Sequence, residues 1–331
     1  MSNRYIRGLI TNYPTQPTSS AAIGVWTLTQ QSQAKGNDNW PLLLSPGTQK
    51  AIFGYGYTST QVSMTNKVSN TGVVATDTAG VGTARYIPAA AGYGTDKAIF
   101  GYGNTSTRVS MTNLVSNTGV VATDTTGVGT ARYGLAAAGY GGDKAIFGYG
   151  YTSTQVSMTN LVSNTGVVAT DTTGVGTVRA SLAAAGYGGD KAIFGYGEGP
   201  PATYNSITNK VSNTGVVSSD TAGVGTARSA LAAAGYGGDK AIFGYGYTST
   251  QVSMTNLVSN TGVVATDTTG VGTVRASLAA AGYGGDKAIF GYGSPTTSLT
   301  NLVSNTGVVA TDTAGVGTAR RQLAAAGYSL T

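Results

Sequence analysis

LAAAGYGGDKAIFGYG, residues Leu135–Gly150, holds two short apolar runs around a Gly-Gly-Asp turn. Glycine accepts the left-handed backbone that a tight hairpin needs, so the stretch reads as two antiparallel strands. Its second half, KAIFGYG, starts at Lys50, Lys97, Lys144, Lys191, Lys240 and Lys287. Successive starts lie 47 residues apart, with a single step of 49. All six Phe of the chain belong to this heptad, and Tyr151–Gly197 and Tyr247–Gly293 are identical. Self-similarity at this period marks a repeat architecture, and ankyrin, tetratricopeptide and leucine-rich units are shorter and mostly helical.

The flanking sequence completes one unit. Leu135–Tyr140 and Lys144–Gly150 are followed by a Ser/Thr-rich connector, by Thr159–Ser163, and by an Asn164-Thr165-Gly166 turn into Val167–Thr170. Four strands are expected, and no segment has helical periodicity. A small sheet of this kind buries its faces only against neighbours. Ala145 and Phe147 on one face, and Ile146 on the other, supply the apolar surface. Ala136–Gly139 supplies small side chains where strands crowd around an axis. The expectation is an all-β, six-bladed β-propeller of four-stranded blades over residues 48–331, preceded by an arm over residues 1–47. The repeats open on a KAIFG strand and end on Leu323–Tyr328. Pairing of Leu323–Tyr328 with Lys50–Gly56 would therefore complete the sixth blade and leave no open edge between first and last.

The unit resembles a kelch repeat. Kelch units run from a strand ending in paired glycines, through a polar stretch with an Asx turn, to a Thr-Ala-Arg-like tripeptide before the next strand. Here FGYG is followed by NLVSNTGVVATDTTGVG and then by TAR (Thr83–Arg85, Thr130–Arg132) or TVR (Thr177–Arg179). The resemblance covers residues 50–328. It departs where Tyr splits the glycine pair and where the aromatic residue after the turn is missing.

Composition limits the chemistry. The 331 residues include 51 Gly and no Cys or His, and 10% are charged. Disulfides, thiol nucleophiles and Cys-ligated metals are excluded, and so is the commonest general base. The net charge of +6 does not form a basic patch. Twelve repeated cations face eleven repeated Asp, which leaves a scatter of isolated Lys and Arg. Nucleic-acid binding is therefore not expected. The Asp rings read as turn-stabilising residues and ion pairs between units, so no metal, cofactor or catalytic residue is expected. No 18-residue apolar window or secretory signal pattern is present, so membrane insertion is not expected.

Differences among the six copies fall at two places. The connector after KAIFGYG reads YTSTQVSM at Tyr57, Tyr151 and Tyr247, NTSTRVSM at Asn104, EGPPATYNSI at Glu198 and SPTTSL at Ser294. The second place follows the repeated Arg and begins at Tyr86, Tyr133, Ala180, Ser229, Ala276 and Arg321. In an antiparallel blade both places fall on one rim. Loops on a rigid scaffold commonly carry function. The candidate ligand-binding residues are therefore Tyr57, Tyr86, Asn104, Tyr133, Tyr151, Glu198, Pro200, Tyr204, Tyr247, Ser294 and Arg321. The loop with Pro200 and Tyr204 is the most distinctive single contact.

Both Trp lie in the N-terminal arm. Thr27-Leu28-Thr29-Gln30 has capping-box spacing, which predicts a short helix over about Leu28–Lys35. Trp26, Leu28 and Trp40 are the candidate docking residues. Gly24–Pro41 (GVWTLTQQSQAKGNDNWP) resembles a segment of virion structural proteins of cyanobacterial phages, especially tail-associated ones. That resemblance implies a tail fibre or other appendage, made in the host cytoplasm and present as a homo-oligomer or in several copies on the particle. The arm would contact other virion proteins, and the propeller would contact a host-surface glycan or protein. An architectural adaptor without receptor binding and a cellular adhesin or lectin-like module are the alternatives.

Overall fold

The computed structural model describes residues 49–329, and every regular element in that range is a β-strand. Trp26, Leu28, Trp40 and the short helix expected beside them lie outside the described residues.

The strands follow the repeat. β1 (Lys50–Gly54) and β2 (Thr65–Val68) come first. β3 (Ala89–Tyr93), β4 (Lys97–Gly101) and β5 (Thr112–Val115) form one antiparallel sheet. β6 (Ala136–Tyr140), β7 (Lys144–Tyr151) and β8 (Gln155–Val162) form the next. β9 (Ala183–Tyr187) and β10 (Lys191–Gly195) precede a two-residue pair, β11 (Glu198–Gly199) and β12 (Thr203–Tyr204), and are joined by β13 (Thr208–Val211). β14 (Ala232–Tyr236), β15 (Lys240–Tyr247) and β16 (Gln251–Val258) follow. β17 (Ala279–Tyr283), β18 (Lys287–Gly291) and β19 (Thr300–Val303) make another sheet. The sixth three-stranded sheet has the order β2-β1-β20, with β20 (Ala324–Tyr328) coming from the opposite end of the described chain. Its register runs from Lys50↔Tyr328 to Gly54↔Ala324, the pairing that the phase of the repeats predicts.

The KAIFG strand is central in each sheet and must be apolar on both faces. Ala145, Ile146 and Phe147 have no exposure, and the same holds in the other five copies. Burying a Phe side chain contributes roughly 2–3 kcal/mol before conformational entropy is counted. Each ring enters a space that only glycine leaves open. A Cβ on Gly54 would lie 2.7 Å from Phe100 Cζ of the next sheet. The same relation recurs from sheet to sheet, and Gly291 admits Phe53 of the β1 sheet. The AAAGY strands also lie side by side in cyclic order: β3, β6, β9, β14, β17, β20 and again β3.

Backbone hydrogen bonds tie the hairpins in the same order. Gly94 N donates to Asp143 O (2.7 Å), Gly141 N to Asp190 O (2.7 Å) and Gly188 N to Asp239 O (2.7 Å). Gly237 N continues to Asp286 O (2.7 Å), Gly284 N to Gln49 O (3.0 Å) and Ser329 N to Asp96 O (2.7 Å). Gln49 N donates to Ser329 O (2.8 Å), so both ends of the described chain take the place of one hairpin.

The four-stranded unit requires correction. Val167–Thr170 and its equivalents are not regular strands; the segment meets β8 only at the bridges Val162↔Val168 and Thr159↔Thr172. Between these bridges the outer segment holds one residue more than β8, so the ladder breaks as at a β-bulge. The buried Asn160 amide fills the break. It donates to Ala169 O (3.0 Å) and to Asp171 Oδ1 (2.9 Å).

Candidate binding rim

The sheets have two unlike ends. One carries the Gly-Gly-Asp hairpins, and the other carries the connectors in which the copies differ. At the connector end the two variable places meet in pairs. Isolated antiparallel bridges join Arg321 to Tyr57, Tyr86 to Asn104, Tyr133 to Tyr151, Ala180 to Glu198, Ser229 to Tyr247 and Ala276 to Ser294. Each pair exchanges backbone bonds, as in Tyr151 N to Tyr133 O (2.8 Å) and Tyr133 N to Tyr151 O (3.2 Å). Backbone pairing leaves the side chains free to differ.

Six equivalent buried arginines lie beneath this end. Arg85, Arg132, Arg179, Arg228, Arg275 and Arg320 have no exposure. The Arg85 guanidinium lies 4.1 Å from the Tyr55 ring centroid, and its Nη2 donates to Asn113 Oδ1 (2.6 Å). Such charges are tolerated inside because donors and π-faces replace water. Burial pushes the Tyr55 hydroxyl up to about 12, against the opposing pull of Arg85. Tyr55 adopts φ 63°, a left-handed conformation that costs a non-glycine residue roughly 1 kcal/mol. The conformation is over-determined by the Arg85 stack, the Phe100 ring at 5.2 Å and the bond from Tyr55 Oη to Val81 O (3.2 Å).

The repeated carboxylates clamp one sheet to the next. Asp124 accepts from Thr83 N (2.9 Å), Thr83 Oγ1 (2.6 Å) and Asn113 Nδ2 (2.9 Å). Partial burial alone would raise the Asp124 pKa. The bonds from Thr83 and Asn113, with the charge of Arg85, outweigh that effect and hold it below the ordinary carboxylate value. Asp77 bonds Thr318 in the same way across the join between the last and first repeats. The second Asp set pairs with adjacent lysines, as in Lys144–Asp143 at 2.9 Å. Among the described residues no group of His, Cys, Asp or Glu is placed to hold a metal ion.

The variable side chains are not evenly distributed. The Arg321 guanidinium lies 5.5 Å from the Tyr57 ring centroid, and Tyr57 packs edge-on against Tyr86 at 5.6 Å. Asn104 Nδ2 donates to Tyr86 Oη (2.7 Å). Arg108, bridged to Asn104 through the backbone, reaches to 5.7 Å from the Tyr151 ring and 6.0 Å from the Tyr133 ring. The Tyr133 and Tyr151 rings lie 5.4 Å apart, tilted by 43°. These residues form one continuous arc over three neighbouring sheets. Glu198 and Tyr204 face each other in the β11–β12 pair, and Tyr204 meets Tyr247 at 6.2 Å, so they form a separate group. Burial, then the Glu198 charge, push the Tyr204 hydroxyl up. Pro200 is exposed at the tip of its loop, and Ser294 contributes no ring.

Arg108 is absent from the sequence-derived candidates. The signal was available as a single letter, Arg in NTSTRVSM where three sister connectors carry Gln. Cavities lie at both ends of the crowded AAAGY strands. The hairpin-end cavity, about 290 Å³, is lined by glycines, tyrosines and lysines. The connector-end cavity, about 120 Å³, is lined by Pro88, Leu135, Leu182, Leu231, Leu278 and Leu323, among others. Among the described residues no helix is long and apolar enough to cross a membrane. No family model and no curated protein matches the chain.

Proposed function

We propose that residues 48–331 form a closed, six-bladed, kelch-like propeller that acts as a binding module rather than an enzyme. In this reading residues 1–47 attach it to a phage particle as a tail fibre or tail-associated appendage, and the connector rim meets the host surface. Closure is supported by the β20–β1 pairing, the cyclic hydrogen bonds of the hairpins and the Phe-into-Gly contacts. A non-enzymatic role is supported by the repeated carboxylates, which are engaged by Thr, Asn and Lys partners.

The observation that carries the binding reading is the arc of Tyr, Asn and Arg at the end where the copies differ. Aromatic and arginine side chains dominate recognition surfaces because they give large contact area with little loss of freedom. The test is adsorption of the purified chain to host cells. Wild-type protein should bind and compete with the particle, and Tyr57→Ala with Tyr151→Ala should abolish both effects without lowering the melting temperature. Equal adsorption by the double variant would sink the reading.

One observation favours the architectural alternative. Val73, Val120, Val167, Val216, Val263 and Val308 stand 61–66% exposed at equivalent places on the outer segments. Equivalent apolar studs suit repeated contacts inside a particle. Polar substitution of these valines should then block assembly while leaving adsorption of the free chain intact.

A further inference from the structure

We infer that the arc recognises an acidic saccharide, with Arg108 and Arg321 binding its carboxylate, sulfate or phosphate groups and Tyr57, Tyr86, Tyr133 and Tyr151 carrying its rings. The inference rests on the proposed role of the rim and specifies the chemistry of its ligand.

The arginines are of two kinds. The six repeated arginines are buried and bonded to Asn side chains. Arg108 is exposed and Arg321 half-buried, and neither has a carboxylate within ion-pair distance among the described residues. Each instead lies over a tyrosine ring, Arg321 over Tyr57 and Arg108 over Tyr151. Stacking restricts a guanidinium while leaving its planar fork of donors free, the geometry suited to bidentate binding of an oxyanion. The other side chains of the arc are uncharged, and Glu198 belongs to the separate group around Tyr204. The local field therefore favours an anion.

A saccharide fits better than an acidic peptide. Tyrosine faces and an Asn amide suit the apolar faces and hydroxyl groups of sugar rings. The connector tips add hydroxyls at Thr58, Ser59, Thr60, Thr105, Ser106 and Thr107. The side chains of the arc are Tyr, Asn and Arg, with none of the aliphatic groups that anchor a peptide. Arg108 stands on one connector and Arg321 is bridged to Tyr57 on the adjacent one, and the two connectors are linked because Gln61 Nε2 donates to Thr105 O (3.2 Å). A chain with charges at intervals could therefore engage both guanidiniums.

The experiment titrates the full chain with short oligogalacturonate and chondroitin sulfate fragments. Their methyl-esterified and desulfated counterparts, and polyglutamate, serve as comparison probes. At least one acidic saccharide should bind, its neutral counterpart should bind at least about tenfold more weakly, and added salt should weaken binding. Arg108→Gln and Arg321→Gln should each weaken it by about tenfold, with unchanged melting temperatures, and the Lys variants should recover part of the loss. Equal binding of the neutral forms would overturn the acidic assignment while leaving the rim as a saccharide site. Tighter binding of polyglutamate would overturn the saccharide assignment. If no acidic saccharide binds, the inference falls; if host-cell adsorption still depends on Tyr57 and Tyr151, the rim reading survives it.

Discussion

The hairpin end and the connector end are built by the same strands yet obey different constraints. At the hairpin end each turn needs left-handed backbone, as at Gly141 (φ 63°) and Gly142 (φ 80°), and its amide must reach the next hairpin. Five of the six hairpin-end lysines have a neighbouring carboxylate, as in Lys191–Asp190 at 2.7 Å. The sixth, Lys50, follows Gln49 instead of Asp. Side-chain identity is narrowed there by geometry, with Thr95 (φ 69°) standing where the other hairpins carry glycine. At the connector end the pairing is made by backbone bonds, so Tyr, Asn, Glu, Ser and Arg occupy equivalent places. Variation follows the places where the backbone alone carries the structure.

Four measurements test this contrast. Deleting residues 321–331 removes β20 and leaves β1 without its inner partner. The melting temperature should fall by more than about 10 °C, and an unchanged melt would refute the sixth sheet. Phe147→Ala should cost about 3–5 kcal/mol in denaturant unfolding, because the ring fills the space above Gly101 in the adjacent sheet. A loss below about 1 kcal/mol would place that ring outside the core.

The third concerns acid. Asp77, Asp124, Asp171, Asp220, Asp267 and Asp312 are all held below the ordinary carboxylate value. In each, burial opposes the shift, and bonds from Thr and Asn outweigh it. A depressed folded pKa stabilises above the unfolded value of 3.8 and ceases to do so as pH falls through the folded value. Stability should therefore be flat from neutral pH to about pH 5 and then fall steeply. Asp124→Ala should cost about 1–3 kcal/mol at pH 7 and flatten the acid limb slightly. A pH-independent melt would contradict the clamp.

The smallest effect is expected at the rim. Replacing Glu198–Ile207 by YTSTQVSM should change stability by no more than about 1 kcal/mol, with stabilisation the expected sign. The reason lies beneath the connectors. Arg132, Arg228 and Arg320, which precede the sheets carrying YTSTQVSM, donate through Nε to Tyr149 O, Tyr245 O and Tyr55 O. Among the described residues Arg85, Arg179 and Arg275, which precede the sheets with other connectors, keep a buried Nε without an acceptor. A loss of several kcal/mol on the swap would show that the loop carries the fold as well as the surface.

Much of this architecture is legible in the sequence. The Gly-Gly-Asp hairpin, the doubly apolar KAIFG strand and the β20–β1 pairing follow from local patterns and the phase of the repeats. The fate of Val167–Thr170 is not local, because its ladder is interrupted by the amide of Asn160, which a strand pattern does not reveal. The repeated Arg is conspicuous by period, but its burial over a left-handed Tyr depends on the next sheet. The positions of the rim candidates were readable, whereas their continuity depended on Arg108, a one-letter change in a polar connector.

The pairing of β1 with β20 also governs how the molecule can be made. Lys50 finds Tyr328 only after the five intervening three-stranded sheets have left the ribosome. Until then the first sheet has an open inner edge on a strand that is apolar on both faces. Contacts so distant in sequence form slowly, and an exposed strand edge invites pairing with another nascent chain. Rapid completion of translation is therefore favoured, and a ribosome stalled before Leu323 would leave a fragment prone to aggregate.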